Sequence, residues 1–176
     1  MDEKKKSVHA TEKHTERVKE LRKEFLSFQK RLKTENIVCL DETGFKLNMT
    51  SVYGWSPKGK RAIDSAPGKR GKLITTIGAM GKDGFLCSAL GYGGIDKDGF
   101  FAFMTTQLFP MLKRGTLILL DNLSAHKDKR VQQVAKKLGL NLIFQPPYSP
   151  EFNPIELAWN TIKTEIRSKR PRTFER

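Results

Sequence analysis

Leu117-Ile118-Leu119-Leu120-Asp121-Asn122 is a run of four branched apolar residues that stops abruptly on a carboxylate. A short apolar run of this kind reads as a buried strand, and ending it on Asp delivers an acid to one edge of a sheet. The same shape occurs earlier, in Ile37-Val38-Cys39-Leu40-Asp41-Glu42. A third acid, Glu156, lies in the first turn of a helix whose start is marked by Asn153 as cap and Pro154 as first residue. Two strand-end acids and one helix-start acid are thus candidates for a single site.

A chain of 176 residues fits one main globular unit with a core that needs no disulfide or metal staple. The formal charge of +14, from 33 basic against 19 acidic residues, is the electrostatic footprint of a polyanion binder. Nucleic acid is the leading partner, ahead of an acidic membrane surface. No apolar run reaches the ~18 residues of a membrane span, and the start is charged with no apolar signal region. The expectation is a soluble cytoplasmic protein, associated with the nucleoid and with no membrane partner. Cys39 and Cys87 sit in apolar runs without CxxC or Cys/His spacing, so they read as buried thiols.

Residues 1–35 form a charged segment, but Val18, Leu21, Phe25, Phe28 and Leu32 recur at steps of three and four. That stripe predicts one amphipathic helix docked on the unit that follows, two heptads being too few for a coiled-coil seam. Lys4-Lys5-Lys6 marks a frayed start. From residue 36 to 176 the period changes. Strands are predicted at Ile37 to Leu40, around Val52-Tyr53-Gly54-Trp55, and at Leu73 to Met80 and Phe85 to Tyr92 about the turn Gly81-Lys82-Asp83-Gly84. A helix capped by Asp96 or Asp98 runs toward Gly115, with Pro110 forcing a kink or an early end. The strand at 116–120 precedes a helix from Lys127 to Leu138 stopped by Gly139, a strand from Leu140 to Phe144, and a helix from Pro154 to about Ser168. Strands in meander order followed by strands alternating with helices predict a mixed α/β sheet with helices packed on it.

Oxygen-only ligands such as Asp41, Asp121 and Glu156 suit hard cations, and Mg²⁺ binds through one or two carboxylates together with substrate phosphates. Two such ions about 3.5–4 Å apart serve in-line phosphoryl displacement. Taken singly, each acid is more often structural: a strand-end Asp forms turns, and Asn153-Pro-Ile-Glu156 fits a helix-start capping arrangement. Glu42 points to the opposite strand face from Asp41 and is a poor ligand on pleat geometry.

The ordered segments Leu40-Asp41-Glu42-Thr43-Gly44-Phe45, Leu120-Asp121-Asn122-Leu123-Ser124-Ala125-His126 and Pro146-Pro147-Tyr148-Ser149-Pro150-Glu151-Phe152-Asn153-Pro154-Ile155-Glu156 resemble the DDE transposases of the mariner superfamily, particularly its bacterial insertion-sequence branch. The resemblance covers about residues 36 to 170. It implies an RNase H-like fold: a mixed five-stranded sheet, its first three strands antiparallel and two further strands parallel to the first, with helices on both faces. It also implies that Asp41, Asp121 and Glu156 are a catalytic triad holding two Mg²⁺, with Mn²⁺ as a substitute. The implied activity is phosphodiester hydrolysis at transposon ends followed by strand transfer into target DNA, with double-stranded DNA as partner and a homo-oligomer as one expected assembly. Asn122, His126, Tyr148, Pro150, Asn153 and Pro154 would shape the site or the DNA path.

The basic loop residues Lys58, Lys60, Arg61, Lys69, Arg70 and Lys72, with Lys163, Arg167, Lys169, Arg170 and Arg172 after the third acid, are candidate phosphate contacts. Trp55 reads either as a packed hairpin aromatic or as a base-stacking side chain. Relatives begin with helix-turn-helix modules, so end recognition is expected from a separate helix-turn-helix polypeptide. Two other readings compete: a truncated or inactive DNA-binding and dimerising fragment that regulates a full transposase, and an RNase H-type nuclease on RNA–DNA hybrids.

Overall fold

The computed structural model describes residues 11–32, 36–51, 53–69 and 71–170. The expectations placed on Lys4-Lys5-Lys6, Val52, Arg70 and Arg172 lie outside the described residues. Helix α1 (Glu16–Gln29) leads into a five-stranded sheet of β1 (Ile37–Phe45), β2 (Ile74–Gly81), β3 (Gly84–Tyr92), β4 (Leu117–Leu120) and β5 (Asn141–Phe144). The strand order is β3-β2-β1-β4-β5. β2 is antiparallel to β1 and to β3, while β4 runs parallel to β1 and β5 parallel to β4. The directions are those the resemblance implied.

Alternation along the strands sends neighbouring residues to opposite faces, and each face is apolar enough to need a cover. Val38, Leu40, Ile77, Ala79, Ile118 and Leu120 pack on one side with α2 (Lys97–Ala102) and its continuation, and with α3 (Lys129–Leu138). Cys39, Leu119 and the partly buried Ile37 and Ile143 pack on the other side with Phe25 of α1 and with Ile155 and Trp159 of α4 (Ile155–Lys169). Helices therefore cover both faces. The α1 stripe docks as expected, with Val18 and Phe25 buried.

Local chemistry explains most of the boundaries. Asp96 caps α2 by accepting from the Gly99 amide at 2.8 Å. Asp128 does the same for α3 from Arg130 at 2.8 Å, and Gly139 ends α3 in the left-handed conformation at φ 70°. After Ala102 the helix loosens into a π turn (Phe103–Leu108) and then a 3₁₀ turn (Phe109–Met111) that accommodates Pro110, so the expected early end is real.

Two expectations are corrected. β1 does not stop at Asp41 but continues to Phe45, because β2 pairs with it over that whole length. Residues 53–55 form no strand: Tyr53 is 82% exposed and Trp55 fully exposed, with neither a partner strand nor a core to face. They belong to a long basic arm between β1 and β2, anchored by Asp64 on Arg170 at 2.7 Å.

Gly78 faces Asp41 across the β1–β2 pair, on the side covered by α4. A Cβ there would come within 2.7 Å of the Trp159 ring, so this glycine sets how closely α4 approaches the sheet. Gly78→Ala is expected to lower unfolding free energy by about 1–3 kcal/mol, as overpacking does, measured by denaturant titration followed by tryptophan fluorescence.

Candidate active site

The parallel register pairs Ile37 with Leu117 and Cys39 with Leu119, and two residues further along each strand stand Asp41 and Asp121. Neighbouring strands lie about 4.8 Å apart, so the pairing carries both acids to one level of the sheet. Beyond Leu120 strand β4 ends while β1 continues, and the gap opens a cavity at the carboxyl ends of the parallel strands. That cavity, of about 410 Å³, is lined by Asp41, Asp121, Asn122, Gln145, Tyr148 and Glu156 among others. All three predicted acids are brought together in it. A separate groove of about 330 Å³ between α1 and the sheet is lined almost wholly by apolar side chains and contains no acid.

Glu156 arrives because Asn153 ties the start of α4 to β1. The buried Asn153 side chain donates from Nδ2 to the Leu40 carbonyl at 3.1 Å and accepts from the Ile155 amide at 3.4 Å. One amide thus both caps α4 and fastens it next to Asp41.

The acids differ in charge state. Burial pushes Asp41 up to about 7, and the neighbouring Glu156 and Asp121 carboxylates push the same way. Burial also acts to raise Asp121, but His126 and the Leu123 amide outweigh it and hold this carboxyl below its ordinary value. His126 is fully buried, with Nδ1 2.5 Å from Asp121 Oδ1 and Nε2 3.3 Å from Glu42 Oε1. The Nδ1 contact is an ion pair rather than an aligned hydrogen bond. Burial acts to lower the imidazole, and the two carboxylates overcome it, lifting His126 to about 9. The Leu123 amide donates to the same Asp121 Oδ1 at 3.0 Å. Among the described residues Oδ2 accepts nothing, and this leaves it for a ligand.

His126 is therefore corrected as a DNA contact: sealed behind Asp121 and stacked at 4.5 Å from Phe100, it cannot reach solvent. Glu42 does leave the face of Asp41, as pleat geometry required, but it backs His126. Gln145 was missed by sequence reasoning. It follows the apolar run of β5, is buried at the cavity wall, and its Nε2 has no partner among the described residues. The signal was a polar residue ending an apolar strand, as at Asp121. Of the basic candidates, Lys58, Lys60, Arg61, Lys69 and Lys72 are exposed on the arm, Lys163 and Arg167 are half-buried on α4, and Tyr148 stands at the cavity mouth.

The donor set tests the site for a metal. Three carboxylates, two from adjacent strands, concentrate negative charge that a hard cation would neutralise; burial first, and the neighbouring carboxylates after it, raise Asp41. Among the described residues no three such side chains yet close on a common point. The chemistry of the donors fits, and the cavity leaves space for ions and substrate between them.

Acids at one level of adjacent parallel strands, where β4 ends and β1 runs on, in a β3-β2-β1-β4-β5 sheet covered on both faces, place the chain in the RNase H-like fold class. The sequence pattern of the DDE superfamily endonuclease matches residues 36–176, and the chain belongs to that family. Among solved structures, the Mos1 transposase paired-end complex with left transposon end superposes with TM-score 0.75 at 18% identity, over 99% of this chain and 56% of that one. The Mos1 mariner paired end complex with Mn gives 0.73 at 17%, over 99% and 56%. The Mos1 catalytic domain with Raltegravir and Mg gives 0.62 at 16%, over 90% and 76%. At these identities the likeness is one of fold, and this chain spans a little over half the length of the Mos1 chains in the two paired-end complexes. No curated protein matches the sequence closely enough to count as a relative. Among the described residues no helix is long and apolar enough to cross a membrane.

In the metal-free protein both raised groups make stability fall with pH. The Asp41 contribution is full below its ordinary value of 3.8 and is lost as pH rises through about 7. The His126 contribution is full below 6.5 and is lost as pH rises through about 9. Calorimetry in EDTA is expected to show Tm declining across that window, with Asp41→Asn removing the lower part of the decline.

Proposed function

We propose that this chain is the catalytic domain of a mariner-type DDE transposase of the bacterial insertion-sequence branch. On this reading it hydrolyses phosphodiesters at transposon ends and joins the freed 3′-hydroxyl to target DNA. The observation that carries the reading is the convergence of Asp41, Asp121 and Glu156 on one cavity in a DDE-family fold. Residues 36–176 form the catalytic domain, with 1–35 as its charged N-terminal segment.

Asp41, Asp121 and Glu156 would hold two Mg²⁺ or Mn²⁺ ions, which supply the positive charge that activates an attacking oxygen and stabilises a departing one. The protein's own groups supply the rest. His126 and Leu123 occupy one oxygen of Asp121, which restricts its rotation and leaves the other oxygen to act. Gln145 Nε2, buried and without a partner among the described residues, is a donor available to a phosphate oxygen. Tyr148, 46% exposed, is placed to meet a nucleotide at the mouth.

The DNA path is supported by periodicity. Lys163 and Arg167 follow Glu156 on α4 by about two and three helical turns, within roughly 20° of its direction, so a phosphate backbone leaving the acids would run along that row. The exposed arm with Lys58, Lys60, Arg61, Lys69 and Lys72, and with Trp55 free to stack on a base, is a second basic surface. A homo-oligomer would pair two ends.

Mg²⁺-dependent nicking of supercoiled plasmid tests the reading. The parent chain is expected to nick, EDTA to stop it, and Asp121→Asn to fall below about one-hundredth of the parent. Nicking that persists in Asp121→Asn would overturn the assignment, and faster cleavage of an RNA–DNA hybrid than of duplex DNA would move it to an RNase H-type nuclease. Replacing Lys163 and Arg167 together by Gln should weaken DNA binding and flatten its dependence on salt by about two phosphate contacts, measured by fluorescence anisotropy across a salt series.

A further inference from the structure

The segment 145–153 forms one wall of the acidic cavity and carries Tyr148 at its mouth. Pro146, Pro147 and Pro150 stiffen it, yet Tyr148 itself sits at φ 55°, a left-handed conformation that a non-glycine residue keeps only when its surroundings hold it there. The holding groups come from far away in sequence. Arg22 of α1 donates from Nη1 to Ser149 Oγ at 2.6 Å and to the Tyr148 carbonyl at 3.4 Å, and from Nη2 to Glu151 at 2.6 Å. The same guanidinium lies 4.9 Å over the Phe152 ring. Lys13 adds a second cation on Glu151 at 3.0 Å. Burial acts to raise Glu151, and the Arg22 contact leads the groups that instead bring it down to about 2.

Packing and clamping are carried by different side chains. Phe25 stacks on Phe152 at 5.3 Å and 25° and, with the buried Val18, packs α1 against the rest of the chain. Arg22 does something packing does not require: its planar fork bridges Tyr148, Ser149, Glu151 and Phe152 of the loop, a geometry that the single point charge of lysine does not reproduce.

We infer that α1 is a working support of the site's wall. Arg22 is a positioning residue that, through Ser149 and Glu151, holds Tyr148 at the cavity mouth in the shape that receives a DNA strand. The inference rests on the nucleic-acid reading proposed above. A partner that displaces α1 would then change substrate placement without touching an acid.

Arg22→Gln in the full chain tests this, with Arg22→Lys and Glu151→Gln beside it and Arg17→Gln as a control that removes a charge from an exposed position of the same helix. The first readout is amide hydrogen exchange at Tyr148, Ser149, Glu151 and Phe152. The second is KM against kcat for plasmid nicking, and the third is Mn²⁺ binding followed by electron paramagnetic resonance. Arg22→Gln is expected to lose protection of the loop and to raise KM about tenfold with a smaller change in kcat, Arg22→Lys to fall between, and Mn²⁺ binding and the Arg17→Gln control to match the parent. Unchanged loop protection, unchanged KM, or an equal loss in Arg17→Gln overturns the inference. A parent chain that does not nick overturns the underlying reading first, and that is seen before any variant is compared.

Discussion

The parallel pairing of β1 with β4 brings Asp41 and Asp121 to the same level of adjacent strands, where burial and mutual repulsion oppose their ionisation. The structure answers the two acids differently. Asp121 is kept charged by a buried imidazole and a backbone amide, and the imidazole is itself steadied by Glu42. Among the described residues Asp41 has no comparable cation, and it carries the cost as a high affinity for a proton. Two like groups in unlike states are what a site shows when it awaits further positive charge.

The third acid depends on contacts that have nothing to do with charge. α4 can lie against the sheet because Gly78 presents no Cβ to Trp159, and it starts beside Asp41 because Asn153 bonds the Leu40 carbonyl. Packing thus decides where Glu156 stands, and electrostatics decides what the assembled group can bind. A fold likeness to Mos1 at 16–18% identity is intelligible on these terms. Strand parity, one close helix approach and one amide tie are constraints that many different sequences can meet.

Much of this was legible from short-range pattern. The apolar runs of β1, β4 and β5, the hairpin around Lys82-Asp83, and the caps Asp96 and Gly139 are each specified by a few consecutive residues acting on their own backbone. Alternation alone told that Asp41 and Glu42 part company. The misreadings share one cause. Tyr53-Gly54-Trp55 has strand-like composition, but a strand exists only if another pairs with it, and among the described residues none does. His126 looked like a polar residue free for DNA because nothing local reveals that Phe100, Glu42 and Asp121 enclose it.

The sequence by itself determined most of the elements, the order of the three acids and the basic character of the chain, because helix caps, strand periodicity and net charge are properties of neighbouring residues or of simple sums. Only the tertiary structure decided that Asp41 and Asp121 share one level, that His126 is a buried support backed by Glu42, and that Arg22 grips the cavity wall. Those outcomes are contacts across 84 and 127 residues of chain. They arise from strand register and helix docking, where a one-residue shift would turn each side chain to another face, and no local pattern encodes that choice.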